Sequence, residues 1–204
     1  MGVFQHWPNR ITGLRFLGAL ALFAILAFHE FEGVLQSPGN RTLSQVAFWL
    51  FVATAASDVL DGYLARRGNL VTAFGRIADP FVDKVLVIGA MVFLAVLPWS
   101  REWFPAWIVV VILAREFLIT GIRGYVESLG SQFPADWFGK VKMVMQCTAV
   151  GVVLGLHAFE LPPSAISFWT QVGHGLVYAT LVASVGSCFS YLVKTRQLLL
   201  QRSG

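Results

Sequence analysis

Residues 57–85 read SDVLDGYLARRGNLVTAFGRIADPFVDKV and carry four aspartates, Asp58, Asp61, Asp79 and Asp83. On either side the chain is rich in Leu, Val, Phe and Trp. An ionisable group within a membrane span is costly, and such groups usually face a polar cavity or a ligand. Four of them at this spacing, between apolar stretches, direct attention to what they hold.

The composition supports a lipid setting. Of 204 residues, 56% are hydrophobic and 13% charged, and the mean hydropathy is +0.68. A water-soluble domain carries about 25% charged residues. The opening, MGVFQHWPNRITGLRF, is too polar and aromatic for a signal peptide, and no small-residue cleavage site follows the first apolar run. That run is therefore expected to persist as a helix. Cys147 and Cys188 lie in apolar stretches and are expected as free thiols packed like small hydrophobes. His6, His29, His157 and His174 show no metal-ligand spacing.

A bilayer core takes about 20 apolar helical residues. Six stretches qualify, near 14–34, 43–65, 77–98, 104–126, 138–160 and 165–193, separated by segments such as QSPGNRT, LPWSREWFP and ELPPS. The expected fold is an all-α integral membrane protein with six transmembrane helices, preceded by a short interfacial N-terminal helix. With six spans, eleven Lys and Arg residues fall on the side of the termini and only Arg41 and Arg101 on the other, while Lys84 and Arg115 lie within spans. The positive-inside rule then puts both termini in the cytoplasm. The formal charge of +4 reads as topology and contact with anionic lipid, not as nucleic-acid binding.

At about 100° per residue, Asp58, Asp61, Gly62 and Ala65 share one helix face, and Gly75, Asp79 and Asp83 share a face of the next. The intervening turn is short, which predicts antiparallel neighbours with their acidic faces opposed. Carboxylates so gathered repel unless a cation joins them. All-oxygen ligation suits Mg²⁺ or Mn²⁺, and Mg²⁺ in turn serves phosphates. Gly62 and Gly75 leave room for a ligand against the helix backbone. Arg66, one turn beyond Asp61 and Gly62, has the fork that grips a phosphate. The competing role for Asp79 is that of N-cap to a helix whose first turn contains Pro80.

These residues resemble, without gap or substitution, the signature of the CDP-alcohol phosphotransferases: Asp58-x2-Asp61-Gly62-x2-Ala65-Arg66-x8-Gly75-x3-Asp79-x3-Asp83. The resemblance implies a single membrane domain over residues 1–204, six transmembrane helices, a homodimer, and transfer of a phospho-alcohol from a CDP-linked donor with release of CMP. It implies metal binding by Asp58, Asp61 and Asp79, with Asp83 helping to hold the metal and serving as the base. It also implies contacts to CDP from Gly62, Arg66 and Gly75. Asn9 and Thr12, in PNRIT, resemble the polar pair that helps hold the nucleotide.

A second stretch, AREFLITGIRGYVESLG followed by DWFGKVKMVMQ, resembles the bacterial phosphatidylglycerophosphate synthases within that family. This implies CDP-diacylglycerol as donor, glycerol 3-phosphate as acceptor, and a bacterial cytoplasmic membrane. Gly124 departs from the acidic residue of many relatives. Arg115 and Arg123, about 80° apart on a helix, suit an acceptor phosphate, against the simpler alternative that Arg115 pairs with Glu116 or another acid. Glu116 itself is expected to serve as a structural partner for a basic neighbour. Lys140 and Lys142, two apart, cannot both aim at one point, so at least one is expected at the acceptor. Inositol phosphate and phosphatidylglycerol are the rival acceptors. An ion or proton transporter would spread its acids through the membrane depth, and a polyprenyl diphosphate enzyme would carry a DDxxD run, absent here.

Overall fold

A computed structural model describes the backbone of residues 7–31, 38–68, 73–130 and 137–202, and the side chains of residues 9–28, 41–57, 75, 78–130 and 139–196. Six α-helices occur among the described residues, with no strand. They are α1 (Trp7–Phe31), α2 (Pro38–Gly68), α3 (Ala73–Val96), α4 (Ala106–Ser128), α5 (Trp137–Ala158) and α6 (Pro163–Arg202). Three contain stretches both long and apolar enough to cross a membrane, Asn9–Phe28, Gly139–Ala158 and Pro163–Arg196. The 23 residues of α4 would also reach across, but they include Arg115, Glu116 and Arg123. Of the segment expected to form a short helix ahead of the first span, residues 7–16 belong to α1 and the residues before them lie outside the described residues.

The packing is apolar on both sides. Inside, Ala19, Leu22 and Leu26 of α1 meet Ala47 and Phe51 of α2, Leu86, Ala90 and Leu94 of α3, Ile108 and Ile112 of α4, and Ala149 and Val153 of α5. Outside, Leu14, Phe28, Trp49, Phe117, Val182 and Phe189 are each 60% exposed or more. So much apolar surface turned outward is unstable in water and matched to hydrocarbon. This is an integral membrane protein.

Side-chain pairs fix the direction of each helix. Thr12 meets Asp79, Arg15 meets Asp83 and Phe23 abuts Gly89, so α1 and α3 run side by side in the same sense. Arg15 also meets Ser57 while Gly18 abuts Thr54, so α2 runs against them. Arg115 with Ser187 and Arg123 with Tyr191 make α4 and α6 parallel. The up-and-down order gathers the buried charged pairs at one end of the bundle, while the exposed Arg41–Glu160 pair lies at the other. The other end is aromatic, with Trp99 stacked on His157 at 3.9 Å and Trp103 on His174 at 5.7 Å.

One expectation is corrected. Pro80 lies well inside α3, which begins seven residues earlier, so Asp79 is not its N-cap. The missing N–H of Pro80 leaves the Arg76 carbonyl without its usual helical donor. Around it α3 is held to α1 through Thr12–Asp79 and Arg15–Asp83.

At Gly89 a Cβ would lie 2.2 Å from the Phe23 ring, which is stacked on Phe93 at 5.5 Å and cannot easily turn aside. Gly89→Ala should therefore cost about 1–3 kcal/mol by overpacking, read as a lower unfolding temperature in detergent. Adding Phe23→Leu should recover much of the loss. An unchanged midpoint in Gly89→Ala would show that α1 and α3 do not approach so closely.

Candidate active site

The residues of α1 that face α3 recur every three or four positions. Asn9, Thr12 and Arg15 are buried and polar; Ala19, Leu22 and Leu26 continue the same face and are buried and apolar. The polar half meets the aspartates. Thr12 Oγ1 donates to Asp79 Oδ1 at 2.5 Å, and Arg15 donates from NH1 to Asp83 Oδ1 at 2.6 Å. Two rungs, at i and i+3 on α1 and at i and i+4 on α3, thus join the helices. Arg15 Nε also donates to Ser57 Oγ at 3.2 Å, while Ser57 donates to the Thr54 carbonyl. Arg15 is consequently tied to α2 at the residue before Asp58 and to α3 at Asp83. Gly75, one turn before Asp79, is buried.

The backbone of α2 carries Asp58 and Asp61 toward its end, but their side chains, with those of Gly62, Ala65 and Arg66, lie outside the described residues. Among the described residues no three His, Cys, Asp or Glu side chains come together as a metal site. Asp79 and Asp83 nevertheless offer hard oxygen donors one helical turn apart, which fits a divalent cation shared with further carboxylates.

A second cluster adjoins the first. Asp83 faces α1, and the next residue, Lys84, turns about 100° to face α4. There it hydrogen-bonds Thr120 Oγ1 and lies 3.8 Å from Glu116 Oε2. Glu116 Oε1 accepts from Arg115 NH1 at 2.8 Å and from Lys142 Nζ. Glu116, Arg115 and Lys142 are each buried. Among the described residues three basic groups therefore surround one carboxylate, Arg115 and Lys142 buried with it and Lys84 partly exposed. Arg115 NH2 donates to Ser187 Oγ at 2.6 Å, and its Nε has no hydrogen-bond partner among the described residues. Arg123 donates to Tyr191 Oη at 2.6 Å. Lys140 is exposed.

A profile of the CDP-alcohol phosphatidyltransferase family matches residues 5–185. The chain belongs to that family. Similar curated proteins are named CDP-diacylglycerol--glycerol-3-phosphate 3-phosphatidyltransferase. The one from Bacillus subtilis (strain 168) is 35% identical over 173 residues, covering 81% of this chain and 86% of the relative. That from Mycoplasma genitalium is 31% identical and covers 95% of this chain and 84% of its own. That from Escherichia coli (strain K12) is 31% identical, covering 90% and 96%.

For this phosphatidyltransferase family member, the structure brings together several residues that the sequence singled out. Asn9, Thr12, Gly75, Asp79 and Asp83 lie where α1 meets α3, and Arg115 and Lys142 meet at Glu116. The pairing of Arg115 with Glu116, weighed as an alternative to ligand binding, is present, and Glu116 is the structural partner expected of it. Arg15, Lys84, Ser187 and Tyr191 were not singled out as site residues by motif. Arg15 had a usable signal, because it follows Thr12 by three residues and so shares its face. Ser187 and Tyr191 had none, being ordinary residues of the last apolar helix.

Removing the carboxylate tests the basic cluster. Glu116→Gln leaves three cations without their counter-ion and should cost about 3–5 kcal/mol, as breaking a buried ion pair does. The unfolding temperature in detergent should fall, and adding Lys142→Met should restore part of it. A Glu116→Gln protein as stable as the parent would rule out this balance of charge.

Proposed function

We propose that the protein transfers the phosphatidyl group of CDP-diacylglycerol to glycerol 3-phosphate, giving phosphatidylglycerophosphate and CMP. The observation that carries this reading is the pairing of two sites of opposite charge on one helix. Asp83 and Lys84 are consecutive on α3, one turned to the acidic site and the other to the basic one. Among the described residues three basic groups share the single carboxylate of Glu116, an excess that suits a phosphate monoester, which carries about −1.5 to −2 near neutral pH. The names of the curated relatives support the same donor and acceptor.

In this reading Asn9, Thr12, Gly62, Arg66 and Gly75 hold the CDP moiety. Asp58, Asp61, Asp79 and Asp83 would hold a divalent cation such as Mg²⁺ or Mn²⁺, which neutralises the diphosphate when bound. Glycerol 3-phosphate docks its phosphate on Arg115, Arg123 and Lys142, and Arg115 Nε, which has no hydrogen-bond partner among the described residues, is available to it. Asp83 accepts the proton of the C1 hydroxyl as that oxygen bonds to the phosphorus attached to diacylglycerol. The bond from that phosphorus to CMP breaks, and Arg66 stabilises the departing charge. Arg15 holds Asp83 in place through the shared hydrogen bond. Holding both partners in line and offsetting charge account for most of the acceleration. Lys140, exposed, is left to lipid phosphates.

The six helices serve as six spans of a homodimer in a bacterial cytoplasmic membrane. The Lys and Arg distribution sets both termini and the active site on the cytoplasmic side. A phosphorylated acceptor is favoured over serine or free glycerol, neither of which would use the basic cluster.

The test is CMP release by the purified protein in mixed micelles with CDP-diacylglycerol. Glycerol 3-phosphate should support release; glycerol, serine and inositol should not. Release that proceeds equally with glycerol would overturn the acceptor assignment. Asp83→Asn should lower turnover by about 10²–10⁴, the usual contribution of a general base, while CDP still binds. Near-normal turnover in that variant would move the base elsewhere. Chelation should abolish release, with recovery on adding Mg²⁺ or Mn²⁺.

A further inference from the structure

Arg115 and Arg123 are eight residues apart on α4, a separation of about 12 Å along the helix. That is too far for both guanidinium groups to grip one phosphate unless their side chains are drawn together. Their partners on α6, Ser187 and Tyr191, are only four residues apart, about 6 Å. The parallel course of α4 and α6 therefore brings two distant arginines toward one level.

Each partner is itself held. Ser187 is buried and donates its hydroxyl proton to the Ser184 carbonyl at 2.9 Å, which leaves its oxygen to accept from Arg115. Tyr191 is 2% exposed, and Arg123 Cζ lies 5.8 Å from its ring centroid while the guanidinium donates to its hydroxyl. Arg123 is an exposed, flexible side chain resting on a fixed aromatic, by a hydrogen bond and by cation–π attraction together. Both α6 residues are uncharged, so they add no counter-ion beyond the Glu116 carboxylate that Arg115 already meets.

We propose that Ser187 and Tyr191 are positioning residues that converge Arg115 and Arg123 on the acceptor phosphate. The inference rests on the acceptor site described under Proposed function. It gives α6, otherwise an apolar span, a part in choosing a phosphorylated substrate.

Steady-state kinetics on the full-length protein in mixed micelles, varying donor and acceptor separately, test it with Tyr191→Phe, Ser187→Ala, Ser187→Thr and Arg123→Ala. Tyr191→Phe and Ser187→Ala should each raise KM for glycerol 3-phosphate by about five- to tenfold, the scale of one ordinary hydrogen bond. The KM for CDP-diacylglycerol and kcat should move less than about twofold, as for lost uniform binding of one substrate. Ser187→Thr, which keeps the hydroxyl, should restore the acceptor KM. Tyr191→Phe combined with Arg123→Ala should be no worse for the acceptor than Arg123→Ala alone. If Arg123→Ala raises the acceptor KM but Tyr191→Phe and Ser187→Ala do not, positioning by α6 is overturned while the acceptor site stands. An acceptor KM unmoved by Arg123→Ala would instead overturn the acceptor site, and this inference with it.

Discussion

The carboxylate of Glu116 joins more of this molecule than any other single group described here. It accepts from Arg115 on its own helix and from Lys142 on α5, and Lys84 on α3 lies within 4 Å. Through Arg115 and Ser187 the connection extends to α6. In hydrocarbon these cations could not remain charged and apart; desolvation would be too costly without a partner. Helices α3 to α6 must therefore come together around this one acid. Among the described residues the basic groups there outnumber the acids.

Helix α1 does the corresponding work at the acidic site. Its buried face changes from polar to apolar between Arg15 and Ala19, so the same stripe first meets Asp79 and Asp83 and then enters the core. The apolar half sets the depth at which the polar half sits. Phe23 against Gly89, about two turns above the Arg15 pair, locks that register. Packing far from the carboxylates thus fixes which oxygen faces which donor.

Much of this was legible in the sequence because it depends on local spacing. The apolar runs gave the helices, and Asp79 with Asp83, four apart, could only share a face. Pro80 misled, since a proline in a helix interior is disfavoured and reads as a start; only contact with α1 shows why α3 continues through it. The α6 partners of the arginines were not legible. Arg115 and Ser187 are 72 residues apart, Arg123 and Tyr191 68 apart, and nothing in either segment says which helix lies against which. Lys84 was set aside as a charge within a span, yet its neighbour Asp83 already carried the motif. What distinguishes them is the helical turn between adjacent residues, which sends one to α1 and the other to α4.

The partition between the anionic and cationic chambers is a single rod, and its two lining groups are covalent neighbours. A twist of that rod by one residue's worth of rotation would carry the acid into the basic chamber and withdraw it from its own. Small torsional movements must therefore be felt on both sides at once, so that filling either chamber stiffens the wall of the other.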